Sequence, residues 1–297
     1  MKLDIEQLQT FYMVAQKQSF TRAAEALFLT QSAVSKRILT LEQALDKTLF
    51  DRIGHKVQLT SAGLILMPSV QRILAEIENS QQLIQNLGKV VSGPLKIATS
   101  HHIGLHRLPQ ILKQFTQQFP EVNLSIQFVD SEQACRGIAQ GDPELGIVTL
   151  PLKPLSNLKV IPIWNDHLEP VVARSHELAA LKRVSLNQLS RHNAILPATG
   201  TFTRTVLEEA LEPLGVDLKS GMSTNYLETI KRMVSVGLGW SILPRSMHDK
   251  ELKVLKISGL SLRRTLGIVM HSNRTLSNAA NALIKLVQST ATSSRPK

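Results

Sequence analysis

Cysteine occurs once in 297 residues, at Cys135, so the chain can form no internal disulfide and no multi-cysteine metal site. No uninterrupted apolar run approaches the length of a membrane span. The first residues, MKLDIEQLQT, hold no apolar stretch of the kind a secretory leader needs, and a cytoplasmic location is expected. There is no internal repeat, and the only biased segment is the Ser/Thr-rich tail, residues 289–297. Catalytic signatures are missing too. Gly237-Leu238-Gly239 lacks the third glycine and the preceding strand of a dinucleotide site, there is no nucleophile elbow or phosphate loop, and no His-x-x-x-His metal pair is expected. No enzyme activity, cofactor or metal site is expected.

What is present is a hydrophobic content of 43% and a net charge of +11. That is a folded chain with room for two or three domains. The charge is unevenly spread. Residues 1–89 hold 10 Lys/Arg against 8 Asp/Glu, and residues 90–297 hold 24 against 15. Bulk charge therefore gives little support for nucleic-acid binding in the first third, and local placement has to carry that argument.

The informative stretch is Ser19–Leu45, two helical patterns with a polar break at Leu29-Thr30-Gln31. The first, from Arg22 to Phe28, is Ala-rich, with Thr21 placed to cap it. The second opens at Thr30 and carries Val34, Ile38, Leu41 and Leu45 on one stripe. Ser32, Ser35, Lys36, Leu39 and Gln43 point the other way. Short hydroxyl side chains let a helix approach base edges, amides read adenine, and Lys or Arg holds guanine or phosphate. The pattern predicts a helix-turn-helix, with an ordinary helical hairpin as the alternative. A helix over about 4–16, with Leu8, Phe11 and Ala15 on one face, supplies a third partner. Arg52-Ile53 and Val57-Gln58-Leu59 can pair as a wing with Gly54, His55 and Lys56 at its tip.

From Thr60 to about Gly88 the positions Leu66, Val70, Ile73, Ile77, Ser80, Ile84 and Leu87 keep a heptad spacing, predicting a linker and dimerisation helix. The alternative is packing within the chain. Pro68 should kink that helix or mark a restart. Beyond Val91-Ser92-Gly93-Pro94 the order strand 95–99, helix 108–119, strand 122–129, helix 131–140, strand 145–149 predicts a parallel sheet covered by helices. A crossing near Ile161-Pro162-Ile163 leads to a second lobe with strands at 171–173, 194–196 and 240–243 and helices at 203–214 and 224–236. A strand at 266–270 and a helix at 276–287 return to the first lobe.

The run Phe11, Ser19-Phe20, Ala23-Ala24, Leu27, Gln31-Ser32-Ala33-Val34-Ser35, Ile38, Leu41-Glu42, Leu49-Phe50, Arg52, Leu59-Thr60 and Ala62-Gly63 resembles the amino-terminal signature of LysR-type transcriptional regulators. Asp46 stands where that family usually has Gly. The segment Val236–Pro244 is similar to the family's Gly-x-Gly-apolar-Pro stretch. The resemblance implies an α/β protein overall. An all-α winged helix-turn-helix would occupy 1–60, a linker helix 61–89 and a two-lobed, periplasmic-binding-protein-like effector domain 90–297. Lobe 1 would span about 91–161 plus 267–297, and lobe 2 about 162–266.

It implies promoter DNA as a partner, with Gln31, Ser32, Ser35 and Lys36 at the bases, Arg37, Arg52 and Lys56 on phosphates, and Thr30 also among the DNA-binding residues. It also implies a homodimer through Leu66, Val70, Ile73, Ile77, Ile84 and Leu87, assembly to a homotetramer, and RNA polymerase as a further candidate partner. Position after strand ends predicts a cleft lined by Thr99, Ser100, His101, Thr149, Thr201, Phe202 and Thr203. Its expected occupant is an organic carboxylate or other small anion. Helix capping is the competing role for the hydroxyls, and plain packing for the histidines. A small-molecule binding protein with a merely dimerising amino terminus is the rival whole-chain reading.

Overall fold

A computed structural model describes residues 3–53, 56–85, 88, 90–215 and 218–293. Contacts divide the chain into two units, residues 1–88 with 140–142, and residues 89–139 with 143–297.

The first unit begins with α1 (Ile5–Lys17), α2 (Phe20–Leu27) and α3 (Gln31–Leu45). Each starts at a side-chain cap. Asp4 accepts from the Glu6 N–H, Ser19 from that of Arg22 and Thr30 from that of Ala33. Ser19 thus takes the capping role expected of Thr21, because α2 starts at Phe20 and so earlier than the Ala-rich pattern suggests. All three helices end on a non-glycine residue in the left-handed region: Gln18, Phe28 and Asp46. Asp tolerates that conformation better than most side chains, so Asp46 can replace the expected Gly without losing the turn. The apolar stripes of the three helices meet in one core of Leu8, Phe11, Phe20, Val34, Ile38 and Leu41, with Leu49 and Phe50 added from the chain after α3.

Strands β1 (Phe50–Ile53) and β2 (Lys56–Leu59) pair antiparallel, with Arg52 opposite Val57 and Ile53 opposite Lys56. The tip residues Gly54 and His55 lie outside the described residues, as do the side chains of Arg52 and Lys56. Helix α4 (Ser61–Gln85) follows and continues through Pro68, so the expected restart does not occur.

The second unit holds β3 (Gly93–Thr99), α5 (His101–His106), α6 (Pro109–Gln118), β4 (Val122–Phe128), α7 (Ser131–Ala139) and β5 (Leu145–Thr149). Next come β6 (Leu158–Ala173), a short 3-10 turn at Glu177–Ala180, α8 (Leu186–Leu189), β7 (Ala194–Leu196) and α9 (Phe202–Leu211). The last elements are β8 (Ser220–Ser223), α10 (Leu227–Ser235), β9 (Ser241–Pro244), β10 (Leu252–Val254), β11 (Leu262–His271) and α11 (Asn278–Ser293). Strands β4, β3 and β5 are parallel, as the alternating pattern requires. The sheet then continues antiparallel through β11 and β6 to β10 and β9.

This corrects one expectation. The segments at 161–163 and 171–173 are one 16-residue strand, β6, and β11 is twice the expected length. Pro162 and Pro170 interrupt the sequence signal for a continuous strand, since proline is rare inside a paired one. These two strands carry the chain between the lobes. Their register slips between Leu266 and Gly267, where Trp164 and then Pro162 face them and Ile163 is left over. A Cβ on Gly267 would stand 2.3 Å from the Ile161 carbonyl oxygen, so only glycine fits at this bulge.

Lobe 1 packs α5, α6 and α11 on one face of the sheet and α7 on the other. In lobe 2 the core centres on fully buried Trp240, whose indole donates to the His192 carbonyl at 3.2 Å. Gly239, just before it, comes so close to Asn193 that a Cβ would lie 2.2 Å from that residue's carbonyl oxygen. Gly239 is therefore needed for packing, whereas Gly237 stands in open space at φ 88°, a conformation that favours glycine. Among the described residues no helix is long and apolar enough to cross a membrane.

Candidate DNA interface and interlobe site

On α3 the buried residues are Val34, Ile38 and Leu41, which leaves Gln31, Ser32 and Lys36 exposed and Ser35 half-buried. These are neighbours. The Gln31 amide donates to the Ser35 hydroxyl at 3.0 Å, and the Thr30 and Ser32 hydroxyls are 3.0 Å apart. The helix therefore presents an ordered row of donors and acceptors at its amino-terminal end. Arg37 differs from the rest. It forms an ion pair with Glu6 of α1 and so braces the helices against each other. Glu42 has a similar bracing role, accepting from the Leu49 N–H at 2.7 Å and fixing where the wing begins.

Phe28 carries no sequence signal beyond its place at the end of the Ala-rich pattern. It sits in the left-handed region at φ 56° with 96% of its surface exposed, at the start of the turn that leads into α3. A bulky aromatic there is both strained and unshielded, a combination found more often at functional sites than elsewhere.

The expected dimer face divides in two. Val70 is fully buried in the core of the first unit, and Leu66 is half-buried against it. They hold α4 to its own chain, which is the alternative for this part of the seam. Further along, Ile73 is 41% exposed, Ile77 is half-buried and Ile84 is 70% exposed, while Leu87 lies outside the described residues.

In the second unit the cleft residues do gather where the lobes meet, but many of their polar groups are already engaged. Buried Thr99 donates to the Ile147 carbonyl at 2.7 Å, and the Thr149 N–H donates to the Ser131 hydroxyl. Thr201 caps α9, accepting from the Arg204 N–H and donating to the Ala198 carbonyl. Ser100 heads α5 without using its hydroxyl as a cap. The His101 ring stands edge-on to Tyr226 of lobe 2, with centroids 4.6 Å apart, and lies 5.6 Å from Phe128. Phe202 packs on the lobe 1 cluster around Ala98 and Val148. The start of α9, where an external anion is expected, already holds an internal one, because the Phe202 N–H donates to the Glu132 carboxylate of α7. A second tie joins Asn225 to Asp130 at 2.7 Å.

Two groups of this site are not foreseen from the sequence. Arg264 of β11 is buried and pairs with buried Asp166 on β6 at 2.9 Å, and its second arm donates to Thr203 at 2.7 Å. Its Nη2 lies 2.8 Å from the same Asp166 oxygen but is not aligned for a hydrogen bond. Burial lowers the Arg264 pKa, and the Asp166 charge opposes that shift. The available signal is strand alternation in Arg263-Arg264, which turns one arginine outward and the other in.

The other group is a histidine pair at i, i+4. His102 and His106 of α5 both turn to one carboxylate oxygen of Glu228 on α10, at 3.4 and 2.9 Å. This corrects the expectation that the chain holds no His-x-x-x-His pair: His102 and His106 have that spacing, and α5, which is not anticipated as a helix, puts them on one face. Glu228 is held down at about 2, chiefly by the hydrogen bond with His102, against the opposing effect of burial. Burial likewise lowers the pKa of His102. Cys135 is buried, which pushes its thiol up to about 12 and leaves it unsuited to thiolate chemistry. A separate groove of about 500 Å³ lies on the outside of lobe 1 between the end of α6 and α11, away from these groups.

Comparison with known proteins matches two stretches of the chain to one family. Residues 5–64 match the family model of the bacterial regulatory helix-turn-helix proteins, lysR family, and residues 88–292 match the LysR substrate binding domain. A probable RuBisCO transcriptional regulator of Synechocystis is 30% identical over 293 residues, covering 95% of this chain and 85% of the relative. Among solved structures, a full-length OxyR variant of Pseudomonas aeruginosa superposes with a TM-score of 0.73 at 22% identity, covering 98% of this chain and 95% of that one. Full-length CbnR complexed with its target DNA gives 0.65 at 18% identity, covering 97% and 100%.

Proposed function

The chain belongs to the LysR family, as a transcriptional regulator with a helix-turn-helix DNA-binding unit and an effector-binding domain, and from that premise we propose how its residues divide the work. Gln31, Ser32, Ser35 and Lys36 read base edges from the major groove, with Thr30 and Phe28 against the adjoining backbone and Arg52 and Lys56 on phosphates along the wing. Arg37 contributes by orienting α3 through Glu6 rather than by a phosphate contact. The observation that carries this reading is the exposed, mutually hydrogen-bonded row on α3 backed by a fully buried apolar stripe.

The chain acts as a homodimer in the cytoplasm, through the part of α4 that includes Ile73, Ile77 and Ile84. A pair of such dimers, and RNA polymerase as a further partner, fit a regulator working at a promoter. The effector is an organic carboxylate or similar small anion bound between the lobes. Ser100 and His101 line its site, and Arg264 lies at the floor with one guanidinium nitrogen not committed to a hydrogen bond. Closing or opening the lobes biases the spacing of the paired DNA-reading units.

Footprinting of the chain's own upstream region across a salt series tests the DNA reading. Sequence-specific protection is expected, and Ser32→Ala or Lys36→Ala should weaken specific binding by roughly 1–3 kcal/mol. Unspecific binding at every salt concentration would refute it. An unchanged melting temperature across a carboxylate panel would refute the effector class.

A further inference from the structure

We propose that His102, His106 and Glu228 form a binding site for a divalent transition-metal ion, Zn(II) by preference, that bridges the two lobes of the effector domain. The donor atoms come from two elements, α5 in lobe 1 and α10 in lobe 2, and all lie within 4.8 Å of one another. A tetrahedral Zn(II) with bonds of about 2.0 Å holds its ligands about 3.3 Å apart. The two imidazole nitrogens stand 3.4 and 2.9 Å from the shared carboxylate oxygen, and no two donors are more than 4.8 Å apart, so side-chain rotations suffice to bring the three to that size.

The donor set also suits the ion. Two neutral imidazoles and one carboxylate form the three-ligand, one-open-position pattern of an exchangeable zinc site. Spacing of i, i+4 puts both histidines on one helix face. Without an ion, the Glu228 carboxylate favours a proton on Nδ1 of His102; an ion bound there would take the place of that proton, which can move to Nε2, buried and without a hydrogen-bond partner. The site is enclosed on the His102 side, which is 4% exposed, and open at His106 and Glu228, which gives the ion an entry path. The other strong charge felt at His102, Arg264, is balanced by Asp166. Because the ligands belong to both lobes, a bound ion holds them at one separation.

The test uses the full, tag-free chain stripped with a chelator, then titrated with Zn(II) against a chromophoric competitor. One tight equivalent is expected. His106→Gln and Glu228→Gln should each weaken it at least tenfold, since loss of a ligand exceeds the roughly 10- to 100-fold seen for residues that merely support one. His167→Ala, on the exposed side of β6, should leave it unchanged. Co(II) in place of Zn(II) should give the visible absorption of a tetrahedral complex, lost in the same two variants. Melting curves without metal identify any variant that fails to fold, and the other variant then decides. Zn(II) affinity equal in the wild type and both folded variants, or no stoichiometric binding, overturns the proposal. Since none of these readouts involves DNA, the outcome stands apart from that of the footprinting experiment.

Discussion

At the scale of single residues, two side chains carry predictions that their neighbours do not. Phe28 combines a left-handed backbone with near-complete exposure, so it strains the fold and shields nothing in it. Phe28→Asn is expected to stabilise the chain by about 0.5–1 kcal/mol, since Asn tolerates this conformation, while weakening binding to the promoter. Denaturant melts and a gel-shift titration on the same protein check both halves, and parallel losses would show that Phe28 serves the fold instead. His176 caps the 3-10 turn at Glu177–Ala180, its Nδ1 accepting from the Leu178 N–H at 3.2 Å, beside the His192 ring. Burial first, and then His192, lower its pKa. A proton on Nδ1 removes the cap, so this stability is fully present above about pH 6.5 and is lost as pH falls through the lowered folded value. His176→Asn, which caps without titrating, should flatten that part of the melting-temperature profile. A profile of unchanged slope would assign the acid loss to other groups.

At the scale of elements, the seam of α4 separates fold from assembly. Val70→Ala should cost about 1–2 kcal/mol of stability in the first unit, because that side chain is wholly enclosed there. Ile84→Asp should leave the melting curve of the dilute chain in place and shift sedimentation toward the monomer. The reverse pattern would put the dimer contact elsewhere. The helices themselves are readable because each has a cap and a stripe that agree, as Thr30 with Val34, Ile38 and Leu41 on α3. Strand β6 is not, since its two prolines disguise a continuous strand. Helix α5 is not either, because six residues give too short a period for a stripe to emerge.

At the scale of the molecule, the family signature and the alternation of strands and helices make the two-part architecture legible. The interlobe site is legible only as a neighbourhood. Strand ends tell where Ser100, Thr201 and Phe202 gather, but not that Thr99 and Thr201 commit their hydroxyls to backbone carbonyls. Those bonds depend on the folded backbone, as does the meeting of Arg264 with Asp166, 98 residues apart in the chain.

The Glu132 carboxylate at the head of α9 has one more consequence. It occupies the place an incoming anion would take, and it is tethered, so it rebinds at an effective concentration that no free molecule in the cell needs to match by affinity alone. Should the proposed effector anion reach the head of α9, Glu132 would act as an intramolecular competitor that sets the dose at which a signal registers. Glu132→Gln should lower the carboxylate concentration needed for half-maximal thermal shift, whereas an unchanged dose curve would place the anion away from α9. Sensitivity in this regulator would then be tuned by how firmly the protein holds on to itself.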